Sequence, residues 1–303
     1  MSTYLKYRPQ TLDQIKGNER VVTTLRYMLQ KRETFPHTLL IHGPTGCGKT
    51  TLARIIAKEL GCVGMDYREV NTAEQRGIDT IRDIINNSQF APLEGSVRVW
   101  VIDESQKLTS EAQHAFLKIL EDTPAHVYFI VCTTEPQKLL PTIRGRCSDF
   151  QVSTLTEQQM MGLLRRVSKQ EGQVLAKEVC DQIPRDSVGL PRNALQILDQ
   201  VLSVPEEKQL EVARQSAAVV SQTIELCRAL IKREKWKEIT RILSGLKDED
   251  PESIRRSVLG YCQSVLLKGE DDVAGYIMEC FIDPFYDSGF PRLVFACYKI
   301  AQT

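Results

Sequence analysis

Residues 43 to 50 read GPTGCGKT, and this octapeptide decides the fold. It satisfies the phosphate-loop pattern of Gly, four residues, Gly, Lys and Ser/Thr. Both flanks agree with it. Before it stands an apolar run, Thr38 to Ile41, long enough for a buried strand. After it Leu52, Ile55, Ile56 and Leu60 recur at helical spacing. In that setting Gly43, Gly46 and Gly48 let successive backbone N–H groups turn inward around phosphate oxygens at a helix N-terminus. Lys49 reaches the β- and γ-phosphates, and the Thr50 hydroxyl is a Mg²⁺ ligand. The bland alternative, a glycine-rich turn with a chance Lys-Thr, is disfavoured by the strand and helix around it. Gly43, Pro44, Thr45, Gly46, Cys47, Gly48, Lys49, Thr50 and Thr51 therefore read as a nucleoside triphosphate site, with ATP and Mg²⁺ expected.

Working outward, residues 1 to 152 alternate apolar strand candidates with helical patterns, which reads as an α/β domain with a parallel sheet. The strand candidates are Thr38–Ile41, Tyr67–Val70, Val97–Ile102 and Tyr128–Cys132, and Ser110 to Glu121 reads as an amphipathic helix. From Thr154 strand signals largely vanish. Amphipathic helices over about 156–171, 174–183 and 191–203 predict a small helical subdomain spanning 153–205. Ser203-Val-Pro-Glu marks a boundary, and residues 206–303 again read as helical. Asp250-Pro251 opens a helix there, Asp as cap and Pro in the first turn. Its stripe of Ile254, Val258, Cys262, Val265 and Leu266 is expected to be bundle core, or else a face for neighbouring subunits.

Composition limits the partners. Lys+Arg and Asp+Glu both number 39, so no global basic field draws nucleic acid, and a local patch or an assembled ring must supply the attraction. The start carries no apolar signal core and no run reaches membrane-spanning length. Nine cysteines are scattered without a Cys-x-x-Cys pair, which predicts a reducing cytoplasm, no disulfide frame and no zinc site.

A second motif turns binding into hydrolysis. Val97 to Glu104 is an apolar strand ending on two carboxylates, about fifty residues after the phosphate loop. Asp103 is placed to order Mg²⁺ and Glu104 to polarise the water attacking the γ-phosphate. The next strand ends at Cys132-Thr133-Thr134, where a hydroxyl could touch that phosphate or that water; a turn cap is its bland reading.

Together, Tyr7-Arg8-Pro9, the phosphate loop, VNTAEQRGIDTIR at 70–82, VIDES at 101–105, TTEPQKLLPTIRGRC at 133–147 and GLPRNALQILDQ at 189–200 resemble a clamp-loader ATPase. This is the AAA+ subunit type of bacterial tau/gamma, the small subunits of replication factor C and T-even-like phage loaders. The resemblance covers residues 4 to about 203. It implies an AAA+ domain, a helical lid and, over the last hundred residues, an all-α collar. It places Tyr7, Arg8 and Pro9 near adenine and ribose, Thr133 as first sensor and Arg192 as second sensor. Arg146 would be an arginine finger directed at a neighbouring subunit's nucleotide. Arg76, Gly77, Ile78 and Arg82 would face duplex DNA in a central channel, with Lys107 contributing. The implied partners are a sliding clamp, other loader subunits in a pentameric ring holding several copies of this chain, and primer–template DNA, with no membrane.

Three departures stand out. Gly145 replaces the usual Ser before Arg146. The acidic box reads Asp-Glu-Ser-Gln where the family has Asp-Glu-Ala-Asp or Asp-Glu-Ala-His, changing the residues that could restrain Glu104. The bacterial zinc module is missing after Gly61-Cys62, which favours a phage, archaeal or eukaryotic-type subunit. Another AAA+ motor, such as a branch-migration helicase or an initiator, is the alternative. Nothing resembling a winged helix-turn-helix ends the chain, which argues against it. A scaffold that binds nucleotide without turnover is opposed by intact Lys49, Thr50, Asp103 and Glu104.

Overall fold

The computed structural model describes residues 2–187, 189–247, 249–266, 271–285 and 288–302. It divides into two compact units, Met1–Ser203 and Val204–Thr303. The first begins with α1 (Thr3–Lys6) and α2 (Glu19–Gln30) and continues as β1 (Thr38–His42), α3 (Lys49–Glu59), β2 (Tyr67–Asn71), α4 (Ile78–Ser88), β3 (Arg98–Asp103) and α5 (Ser110–Glu121). Then come β4 (Val127–Thr133), α6 (Pro141–Arg144) and β5 (Ser148–Gln151), followed by α7 (Glu157–Gln170), α8 (Lys177–Asp186) and α9 (Pro191–Leu202).

The five strands form one parallel sheet in the order β2-β3-β4-β1-β5. Every residue of β4 is buried, as a central strand covered on both faces requires. Side-chain alternation sorts the core into two layers. Leu39, Ile41, Val99, Val101, Ile130 and Cys132 face Leu52, Ile55 and Ile56 of α3 and Leu25 of α2. Leu40, Trp100, Ile102, Phe129 and Val131 face Ile81 and Ile84 of α4 and Ala112, Phe116 and Ile119 of α5. The expected parallel α/β fold and its four strand candidates are present. β5 was not expected: only Phe150 of its four residues is buried, and backbone pairing to β1 holds it.

Caps fix several helix starts. The Thr109 hydroxyl accepts from Ala112 N at the head of α5. Thr156 and Gln159 bond reciprocally as a capping box on α7. A buried ion pair shapes the loop between α4 and β3. The Asp66 carboxylate accepts backbone N–H bonds from Leu93, Glu94 and Gly95, while Arg98 donates to it and to the Phe90 and Ala91 carbonyls. Burial opposes ionisation of Asp66, but these donors outweigh it and bring the carboxyl down to about 2. The loop so held exposes Phe90 and Leu93.

The second unit is helical throughout its described residues: α10 (Glu206–Ile231), α11 (Trp236–Gly245), α12 (Pro251–Leu266), α13 (Asp272–Phe281) and α14 (Gly289–Ala301). Helix α12 starts at Pro251, and the Asp250 carboxylate accepts from Glu252 N. Ile254, Val258 and Cys262 of the expected stripe are core, whereas Leu266 at the helix end is exposed. Among the described residues, no helix is long and apolar enough to cross a membrane.

Candidate functional site

The carboxyl ends of β1, β3 and β4 lie side by side, with His42 paired to Thr133, so the loops that follow them converge at one edge of the sheet. The first is the 43–48 loop. Gly43 (φ 149°) packs so tightly that a Cβ there would meet the Val152 carbonyl oxygen at 2.1 Å, and Gly48 (φ 103°) turns the chain into α3 beside open space. The cradle thus admits no side chain where it is tight and leaves room where a ligand would lie.

Lys49 is the first residue of α3 and is 6% exposed. Its Nζ donates to the Gly43 and Pro44 carbonyls at 2.9 and 3.0 Å. Among the described residues no carboxylate pairs with it, so a buried cation sits against the 43–48 loop without a counter-charge, a setting that fits an anion. One residue on, the Thr50 hydroxyl donates to Asp103 Oδ2 at 2.7 Å. This hard oxygen pair beside the phosphate loop has the donor chemistry that suits Mg²⁺.

Glu104 follows β3 in the left-handed region at φ 53°, a conformation that costs a non-glycine residue about 1 kcal/mol or more. Its N–H donates to Asp103 Oδ1, and the Thr72 hydroxyl bonds the Asp103 and Glu104 carbonyls at 3.0 and 2.7 Å. The strained turn is held from β2's side. Thr133 is fully buried, and its hydroxyl donates to Gln106 at 2.8 Å; the neighbouring Thr134 is the half-buried tip.

Beyond the phosphate loop a cleft is lined by Tyr7, Arg8, Pro9, Gly46, Thr51, Arg192 and Leu195. Arg8 Nε donates to the Thr51 hydroxyl at 2.9 Å, and burial together with the nearby Arg54 and Arg192 cations lowers its pKa. The amino-terminal segment also grips the helices after β5. Thr3 N donates to Asp199 Oδ2 at 2.9 Å and Lys6 pairs with Glu171 at 2.7 Å. Arg192 is exposed and lies over the loop, its Cβ 3.4 Å from where a Gly46 Cβ would be.

The other expected residues lie apart from this centre. Arg146 is exposed and pairs with Glu121 at the end of α5, while its Nη1 donates to the Thr142 carbonyl. Arg76, Arg82 and Lys107 are exposed, with Gly77 capping α4 and Ile78 beginning it. Arg82 pairs with Asp79, and the Arg76 carbonyl accepts from Thr109 N, laying that segment beside the turn that carries Lys107. Amides at a helix N-terminus lower a thiol pKa, but burial pushes that of Cys47 up, and its Sγ donates to the Pro44 carbonyl at 2.8 Å. Desolvation outweighs the amides and the nearby Lys49 charge. The sequence reading missed Thr72, whose only signal is its place just past β2, and noted Gln106 only as part of the altered acidic box that could restrain Glu104.

A family model described as DNA polymerase III, delta subunit, matches residues 65–156. The chain is 34% identical over 226 residues to DNA polymerase III subunit gamma/tau of Mycobacterium tuberculosis, covering 67% of this chain and 39% of that protein. It is 30% identical over 291 residues to subunit tau of Bacillus subtilis, covering 87% and 51%. With subunit tau of Escherichia coli it shares 32% over 219 residues, covering 65% and 34%. The chain thus spans about a third to a half of the length of these curated relatives. Among solved structures it is similar to the Thermotoga maritima RuvB Holliday junction branch migration motor, with TM-score 0.61 and 19% identity over 78% of this chain and 85% of that one. At that identity the likeness shows the fold alone.

Proposed function

We propose, from the premise that this chain is an AAA+ relative of the DNA polymerase III gamma/tau clamp-loader subunits, that it is a Mg²⁺-dependent ATPase subunit of a sliding-clamp loader. It would work in the cytoplasm, in a pentameric ring that opens a ring-shaped clamp and places it on primer–template DNA. The observation that carries this reading is the convergence of Lys49, the Thr50–Asp103 pair and Glu104 on one sheet edge, in a chain whose sequence relatives are gamma/tau proteins.

In this reading the backbone N–H groups of residues 45–48 bind the triphosphate, and Lys49 exchanges its two carbonyl partners for β- and γ-phosphate oxygens. Thr50 and Asp103 would hold Mg²⁺, which supplies neutralisation of phosphate charge when bound. Glu104 takes the proton of the attacking water. Thr133, buried at the end of β4 with its hydroxyl on Gln106, would be the first sensor through that bond, with the Thr134 hydroxyl beside it facing the phosphate. Tyr7, Arg8 and Pro9 flank the base and ribose, and Arg192 reports phosphate occupancy to the helices after β5. Residues 1–152, 153–205 and 206–303 would serve as motor, lid and collar. Arg146 acts on the next subunit's nucleotide, while Arg76, Gly77, Ile78, Arg82 and Lys107 track DNA.

The test is to assemble the protein with its co-encoded neighbours and measure ATP hydrolysis with and without primed DNA. Turnover stimulated by DNA and by the clamp is expected. Glu104→Gln should bind nucleotide yet stop turnover, and Lys49→Ala should not bind. Wild-type turnover in Glu104→Gln, or indifference of the assembly to primed DNA, would refute the reading. The branch-migration alternative has only a fold likeness behind it.

A further inference from the structure

The side chain of Gln106 is buried, at 8% exposure, and every hydrogen-bonding position on its amide is in use. Its Nε2 donates to Glu104 Oε2 and, at 2.9 Å, to the Thr134 hydroxyl oxygen. Its Oε1 accepts the Thr133 hydroxyl at 2.8 Å and the Thr134 backbone N–H at 3.4 Å. A primary amide offers two donors and two acceptor lone pairs, so the group is saturated. Its orientation is dictated as well. Turned over, the amide would set its NH₂ against the Thr134 N–H and its carbonyl against the Glu104 carboxylate.

The consequences fall on both neighbours. Thr133, fully buried, has spent its hydroxyl hydrogen on Gln106, and its oxygen accepts from Glu135 N at 3.1 Å. The Thr134 oxygen is an acceptor in the network, so its own hydrogen is left for a ligand at the sheet edge. Glu104 is tethered by one carboxylate oxygen, while Oε1 has no protein partner among the described residues and can take a water proton.

We infer that Gln106 is a positioning residue for hydrolysis: its single amide fixes the spacing between the Glu104 carboxylate and the tip of β4, so that water activation and the strand-tip hydroxyl act on one γ-phosphate in register. The inference rests on the ATPase reading above. It adds the residue that couples Glu104 to Thr134, two parts of the site far apart in the sequence.

The test uses the assembled complex with saturating primed DNA and measures single-turnover hydrolysis, affinity for a fluorescent ATP analogue, and thermal midpoint. Gln106→Ala should lower the hydrolysis rate about 10- to 100-fold, the cost of misplacing a reacting group by roughly 1 Å, with affinity within about twofold of wild type. Gln106→Glu is isosteric and keeps the acceptor for Thr133, but it loses the donor and faces Glu104 with like charge. It should lose at least as much rate. Thr133→Val removes the opposite anchor, and combined with Gln106→Ala it should cost no more than the worse single change, because both act through one bridge. Unchanged rate in Gln106→Ala overturns the proposal. So do losses that multiply in the double variant, and so does a fall in affinity and thermal midpoint that parallels the rate, which would mark a merely structural glutamine. Absence of turnover in the wild type would instead sink the ATPase reading itself.

Discussion

Lys49 holds a charge where the folded chain gains least from it, which makes its replacement by an apolar side chain of similar length informative. Lys49 is 6% exposed, and among the described residues its ammonium bonds the Gly43 and Pro44 carbonyls alone, at 2.9 and 3.0 Å. An effective desolvation penalty of several kcal/mol for a buried ion is set against two charge-assisted hydrogen bonds worth about 1.5–3 kcal/mol each. The balance is near zero or unfavourable, so Lys49→Met should stabilise the nucleotide-free first unit by about 1 kcal/mol, or about 2–4 °C for a unit of this size. Nucleotide reverses the order. At a hundred times its Kd a ligand adds about 2.7 kcal/mol to the wild type, roughly 5–11 °C on the same conversion, and Lys49→Met should gain almost none of it. Thermal unfolding of both proteins, with and without Mg²⁺ and a non-hydrolysable ATP analogue, should therefore show the two curves exchanging places. A less stable Lys49→Met without nucleotide, or an undiminished nucleotide shift in it, refutes the reasoning.

Other outcomes follow from the same structure. The Asp66 carboxyl is lowered from 3.8 to about 2, so its stabilisation is present above pH 4 and lost as pH falls through 2; the difference corresponds to about 2 kcal/mol. Asp66→Asn should be destabilised by that order at pH 7 in urea unfolding, and a gap that stays unchanged at pH 2 would contradict the assignment. Cys47 is buried with a raised pKa, so peptide mapping after brief thiol alkylation should find it modified more slowly than the half-buried Cys280. Preferential labelling of Cys47 would mean that the helix N-terminus outweighs burial in setting its reactivity. Arg82→Ala should weaken binding to unrelated primed DNAs equally and reduce its salt dependence, whereas sequence-selective loss would point to base reading. Mixing Lys49→Ala and Arg146→Ala proteins within one assembly should recover ATPase where an intact finger faces an intact phosphate loop. A mixture that assembles but stays inactive at all ratios counts against action between subunits, and leaves Arg146 as the partner of Glu121.

The parts of the molecule legible in the sequence are those whose cause is local. The phosphate loop carries its conformational requirement in three glycines, and β1, β3 and β4 stand out because a strand buried on both faces must be continuously apolar. The strand β5 has no such need. An edge strand with one buried side chain, Phe150, is specified by the β1 backbone beside it, and Ser-Asp-Phe-Gln carries no mark of that. The same division runs through the site. Lys49, Thr50, Asp103 and Glu104 are readable because phosphate and metal chemistry demand those residue types at that spacing. Gln106 is an ordinary amide until β4 delivers Thr133 and Thr134 beside it, and Asp66 is an ordinary acid until three amides from 93–95 close over it. Cys47 makes the same point from the other side: amides and a neighbouring Lys would lower its thiol pKa, yet the sign of the shift is set by burial, a property of the whole fold. Charge placement at this site is therefore a tertiary matter even where its membership is a sequence matter. That is why the chemical roles could be expected in advance, whereas the residues that tension them could not.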